Sequence, residues 1–152
     1  FQISSGLYGA RDKNGKFDQE RYKKVMSFCQ MTEIRLAQGA KQTGGKLSGA
    51  KVTPAIAYYR NVEAYKDVFS PNRFPFANSI EELFDFVGRL QKLSGKPVGI
   101  KIVISDQENI EPYAKEIKNE KFQLVAKNVD AVENIITASG DVVIYSNPNV
   151  SK

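Results

Sequence analysis

The spacing of apolar side chains divides the chain into alternating strands and helices. Behind Asp18, Tyr22, Val25, Met26 and Cys29 recur at helical intervals, which predicts a helix over DQERYKKVMSFC with the aspartate as its cap. SIEELFDFVGRLQKLSG carries the clearest helical pattern. Ile80, Leu83, Phe84, Val87 and Leu90 mark one face, Ser79 and Glu82 form a capping box, and Gly95 ends the helix. VTPAIAYYR predicts a shorter helix, with Thr53 as cap and Pro54 in its first turn. FQISSGLYGA reads as a short strand that breaks at Gly6 and Gly9, and MTEIRLAQ as a second strand. KPVGIKIVIS is apolar enough to be a strand buried on both faces, as in parallel sheets. DQENIEPYAKEIKN, FQLVAK, VDAVENIITAS and DVVIYS continue as helix, strand, helix, strand. Such alternation implies an α/β fold on a parallel sheet, with ligand sites in the loops that leave the C-terminal ends of the strands. NVEAYKDVFSPNRFPFAN fits neither period; connections of that length are usually functional.

Composition narrows the chemistry. The 152 residues are 41% hydrophobic and 26% charged, enough for one domain with a core. Histidine is absent, which removes the usual zinc ligand and the usual general base near neutral pH. A single cysteine, Cys29, excludes an internal disulfide and a four-cysteine cluster, and its place on the first helix reads as a core thiol. The net charge of +5 is spread over scattered lysines, without the clustered basic helix or aromatic–basic motif of nucleic-acid modules. No apolar run reaches a membrane-spanning length of about 18 residues, and the start does not read as a signal peptide. The expectation is a soluble, cytoplasmic protein with no nucleic-acid or membrane partner.

The segment AKQTGGKLSG, directly after a predicted strand, has the composition of an anion-binding loop. Its glycines let backbone N–H groups approach a ligand, and Lys41, Lys46 and Lys51 add positive charge. Ala40, Gly45 and Lys46 fit the nucleotide-binding P-loop spacing, but Leu47 stands where that loop needs a hydroxyl for Mg²⁺. A nucleoside triphosphate site is thereby disfavoured. A surface loop with solvated lysines is the plain alternative.

The longer segment EIRLAQGAKQTGGKLSGAKVTPAIAYYR resembles the FMN-binding synthase domain of glutamate synthases, and especially its stand-alone relatives. The likeness extends to QISSGLYG, SPNRFPFANSIEELFDFVGRL and GKPVGIKIV, and covers residues 1 to 120. It implies a (β/α)₈ barrel of the TIM type that binds FMN and converts 2-oxoglutarate and ammonia to glutamate through an imine. It also implies site residues. Gln38 and Lys41 would lie against 2-oxoglutarate, with Lys41 polarising the keto group as the catalytic lysine. Arg60 would clamp one carboxylate and Ser79 would donate to the other end. Arg35, Lys101 and Gly6 would face the cofactor. Plainer readings stay open beside these: Ser79 as a helix cap, Arg60 as a surface arginine, Lys101 as a strand lysine reaching solvent.

Two positions depart from the family pattern. Arg35 replaces the usual lysine, and Asn61 stands where glycine is common after the arginine. A complete barrel needs about 200 to 250 residues, and the family's downstream glycine loop and the late strands that hold the flavin phosphate have no counterpart here. The expectation is therefore a partial barrel over 1–120, an unassigned α/β tail over 121–152 packed on the same domain, and weak or no FMN binding by this chain alone. Exposed sheet edges would favour self-association. A non-catalytic module binding a dicarboxylate or another anion is the alternative function, and the electron donor is open.

Overall fold

Asp18 starts the first helix as its spacing predicts. The computed structural model describes residues 1–36 and 45–104, and the strands at 122–126 and 140–146. The Asp18 carboxylate accepts the backbone N–H groups of Glu20 and Arg21 at 3.0 and 3.1 Å, and α1 runs Gln19–Met26. The helix stops short of Cys29. Lys96 takes up the carbonyls at its end, its Nζ donating to Met26 O and Cys29 O at 2.5 and 2.6 Å. Cys29 itself is half-buried against the core.

Strands β1 (Gln2–Ile3), β2 (Thr32–Arg35) and β5 (Val98–Ile104) pair in parallel. Between β2 and β5 the chain forms β3 (Lys46–Leu47), a 3₁₀ turn at Gly49–Lys51, α2 (Pro54–Arg60), β4 (Val68–Phe69) and α3 (Ile80–Ser94). After β5 come β6 (Phe122–Ala126) and β7 (Gly140–Ser146), and the sheet order is β1-β2-β5-β7-β6.

The sheet corrects one expectation. It is parallel only across β1, β2 and β5, because β7 pairs antiparallel with both β5 and β6. β7 matches all seven residues of β5, from Val98↔Ser146 to Ile104↔Gly140. Antiparallel pairs are slightly the more stable per residue, and antiparallel edge strands on parallel sheets are common. The fold is thus mixed α/β with a three-stranded parallel part, compatible with a piece of a β/α architecture. The helices expected over DQENIEPYAKEIKN and VDAVENIITAS lie outside the described residues.

The parallel part has two unlike faces. Ile3, Thr32, Ile34, Val98, Ile100 and Ile102 are buried on one face. They pack with Tyr22 and Met26 of α1 and with Leu83, Phe86, Val87 and Leu90 of α3. Tyr22 ties the layers together: its hydroxyl lies 2.8 Å from Thr32 Oγ1 and 3.5 Å from Leu90 O. Alternation puts Gln2, Glu33, Arg35 and Lys101 on the other face, where the Gln2 amide donates to the Glu33 carboxylate. On that face of β5 Gly99 is buried and Lys101 is half-buried.

The long aromatic segment serves the core. Phe74 is buried, and Phe76 stacks on Phe86 with centroids 4.1 Å apart while Phe17 meets the same ring edge-on at 5.1 Å. A smaller cluster of Val52, Ala57 and Val68 packs α2 against β3 and β4. Among the described residues, no helix is long and apolar enough to cross a membrane.

Candidate functional site

Local structure at the ends of β1 and β2 places three of the expected residues. The chain leaves β1 through a turn closed by Leu7 N–H on Ser4 O at 2.8 Å. Gly6 lies in that turn, buried, with the Tyr8 ring against it: a Cβ at Gly6 would come within 2.4 Å of the ring. Glycine is needed here for packing. Arg35 ends β2 and is the direct register partner of Lys101 on β5. Both are half-buried on the polar face, so two cations stand side by side at the C-terminal end of β2.

Arg60 closes α2, and its guanidinium carbon sits 4.7 Å from the centroid of Tyr8. Arg11 approaches the same ring at 5.6 Å and donates to the Gly6 carbonyl at 3.3 Å. Tyr8 Oη lies 3.1 Å from Ser70 Oγ. One tyrosine thus joins the β1 turn, the end of α2 and the end of β4. Stacking of a guanidinium on an aromatic face holds its plane and leaves its N–H edge able to meet a carboxylate.

Asn61 follows in the left-handed region, with φ of 52°. This is the conformation glycine adopts without penalty, and asparagine tolerates it better than most residues. Its Nδ2 also donates to Arg11 O at 3.0 Å. The departure from the family's glycine therefore leaves a left-handed helix end. Asn61→Val is expected to destabilise the chain by about 1–3 kcal/mol, whereas Asn61→Gly should lose little beyond that one hydrogen bond. Urea unfolding of the two variants checks the order; equal midpoints would refute it.

The described part of the glycine-rich segment already holds an anion of its own. Asp67 Oδ2 lies 2.6 Å from Lys46 Nζ, and Asp67 Oδ1 accepts the Gly49 N–H at 2.7 Å. The Lys46 hydrogen bond first, and the Gly49 N–H second, hold the Asp67 carboxyl below its ordinary value of 3.8. A lowered carboxyl stabilises the fold above pH 3.8, and the contribution disappears as pH falls through the folded value. Asp67→Ala is expected to remove this acid-side dependence and to speed hydrogen exchange at the Gly49 amide. Unchanged exchange would show that the contact does not form in solution.

Gln38 and Lys41 lie outside the described residues. Ser79 caps α3, its Oγ accepting the Glu82 N–H at 3.2 Å, while Glu82 accepts the Asn78 N–H at 2.8 Å. The box is therefore shifted by one residue from its usual form. The structure brings Arg35 together with Lys101, and Gly6 together with Arg60 through Tyr8. No described contact links Ser79 to either group. Sequence reasoning passed over Tyr8, Arg11 and Asp67. For Tyr8 a signal existed, an aromatic residue between Gly6 and Gly9. For Asp67 none did, since its partners are set by tertiary folding.

Comparison with known proteins gives the family. A family model described as a conserved region in glutamate synthase matches residues 1–133. The glutamate synthase large subunit-like protein YerD of Bacillus subtilis is 43% identical over 111 residues, covering 72% of this chain and 21% of that protein. A ferredoxin-dependent glutamate synthase of Antithamnion sp. is 32% identical over 106 residues, covering 68% of the chain and 6% of the relative. An archaeal-type glutamate synthase (NADPH) of Dehalococcoides mccartyi is 25% identical over 143 residues, covering 93% of the chain and 26% of the relative. The chain thus spans about a quarter or less of the length of these relatives.

Proposed function

This chain belongs to the glutamate synthase family, and from that premise we propose that it forms one part of an FMN-dependent site for the reductive amination of 2-oxoglutarate to glutamate. The observation that carries the reading is the polar face of the parallel strands, where Arg35 and Lys101 stand in register. A site on the C-terminal side of parallel strands is where β/α folds bind ligands.

The residues present fit an electron-rich, anionic group. Arg35 and Lys101 would hold the pyrimidine edge of the flavin by charge-assisted hydrogen bonds. FMN, once reduced by the electron donor, would supply the hydride that an imine carbon accepts. The protein's own part is binding and polarisation. Arg60, braced by Tyr8, would pair one carboxylate of 2-oxoglutarate through its planar fork. Ser79 and the N–H groups that open α3 would meet the other carboxylate. Gln38 and Lys41 would contact the keto acid, Lys41 stabilising negative charge that develops on its oxygen. Ammonia would be the second substrate. The electrons would come from a ferredoxin or NADPH, the donors named for two of the relatives.

Absorbance spectra of the purified chain with and without FMN, and calorimetry with 2-oxoglutarate, test the reading. The expected result is measurable binding of the dicarboxylate with little retained flavin. No response to 2-oxoglutarate would overturn the substrate assignment. Stoichiometric flavin would overturn the view that the phosphate-holding residues lie elsewhere.

A further inference from the structure

A groove between α1 and α2 has no part in that reading beyond sharing Tyr8 and Arg60 with it. Its volume is about 550 Å³, within the range of small-molecule sites, roughly 300–1,000 Å³. Five of its eleven lining residues are aromatic. Phe28, Tyr58 and Tyr59 line it and are 85, 66 and 70% exposed, a large share for aromatic side chains. Tyr58 and Tyr59 meet edge-on with centroids 5.4 Å apart, so a flat ring can enter against them.

Its charge is of one sign. Arg21, Lys24 and Arg60 line it, and among the described residues that do so there is no aspartate or glutamate. Arg21 ties the two walls together. One of its nitrogens, Nη2, donates to Tyr58 O at 3.2 Å, while Nε is buried with no hydrogen-bond partner.

We propose that this groove binds a flat aromatic anion, a ring system carrying a carboxylate or sulfonate. The rings stack on the ligand, and Arg21 and Lys24 pair its charge. The assignment goes beyond the proposed reaction: 2-oxoglutarate has no ring, the flavin is placed at Arg35 and Lys101, which do not line this groove, and Phe28, Arg21 and Lys24 have no place in that site.

Fluorescence titration of the whole chain with 1-anilinonaphthalene-8-sulfonate, beside its uncharged analogue N-phenyl-1-naphthylamine, tests it. The expected result is one equivalent of the sulfonate, bound about tenfold tighter than the neutral probe, as one charge-assisted pair contributes. Lys24→Gln should weaken the sulfonate several-fold and leave the neutral probe unchanged. Phe28→Ser should weaken both. Lys24 and Phe28 are exposed, so these variants should fold, and Arg60 stays intact in each, which separates this outcome from failure of the substrate clamp. Equal affinity for the two probes, indifference to both substitutions, or several equivalents of sulfonate bound would each overturn the proposal.

Discussion

Tyr22→Ala is expected to destabilise the fold by about 3–5 kcal/mol, the usual range for removing a large buried aromatic side chain. Tyr22 is fully buried, with its ring centroid 5.7 Å from Phe17 and 6.4 Å from Phe1. Its loss would open a cavity where α1, β2 and α3 meet. Tyr22→Phe keeps the ring and loses only the hydroxyl contacts to Thr32 and Leu90, so about 1–3 kcal/mol is expected. Equilibrium urea unfolding measures both, and a midpoint unchanged in the alanine variant would sink the account.

The same residue predicts a pH effect. Burial pushes the Tyr22 phenol above its ordinary value of 10.0, against the opposing hydrogen bond from Thr32. A raised folded value means that the contribution is fully present below pH 10 and is lost as pH rises through the folded value. The native chain should lose stability above pH 10 faster than Tyr22→Phe, which has no phenol there to ionise.

Arg60→Lys is expected to weaken 2-oxoglutarate binding by about 10- to 100-fold, the equivalent of one or two charge-assisted hydrogen bonds. The charge survives this change, but the planar fork and its stacking on Tyr8 do not. Calorimetry on the two chains decides. Equal affinity would remove Arg60 from the site and leave its stacking on Tyr8 as its whole role.

The helices were the most legible part of the sequence. α1 and α3 follow from apolar spacing and a capping aspartate or serine, because these signals act within a few residues. Strand direction was not legible at β7. Alternating strand and helix patterns suggest parallel crossovers, yet the open edge of β5 accepts an antiparallel partner. The two-residue strands β3 and β4 are too short to show a period, so their segments read as loops. At the site, the residues carried by the family pattern could be named, but their grouping could not. Arg35 and Lys101 meet only because β2 and β5 align in that register, and Arg60 meets the β1 turn only through Tyr8. Asp67 changes the meaning of the glycine-rich segment most. Composition suggested donors waiting for an external anion, and two of them are engaged by a carboxylate from the same chain.

The division of the interior into two clusters bears on how the chain breathes. The large cluster joins the sheet to α1 and α3, whereas the small one rests on Val52, Ala57 and Val68. Opening free energy scales with the apolar contacts that must part, so the smaller cluster is expected to open at lower free energy than the larger one. Amide exchange in α2, β3 and β4 is therefore expected to be faster than in β2 and β5. Arg60 ends α2 beside that smaller cluster, so local opening there would disturb its stacking on Tyr8 before the global fold is lost.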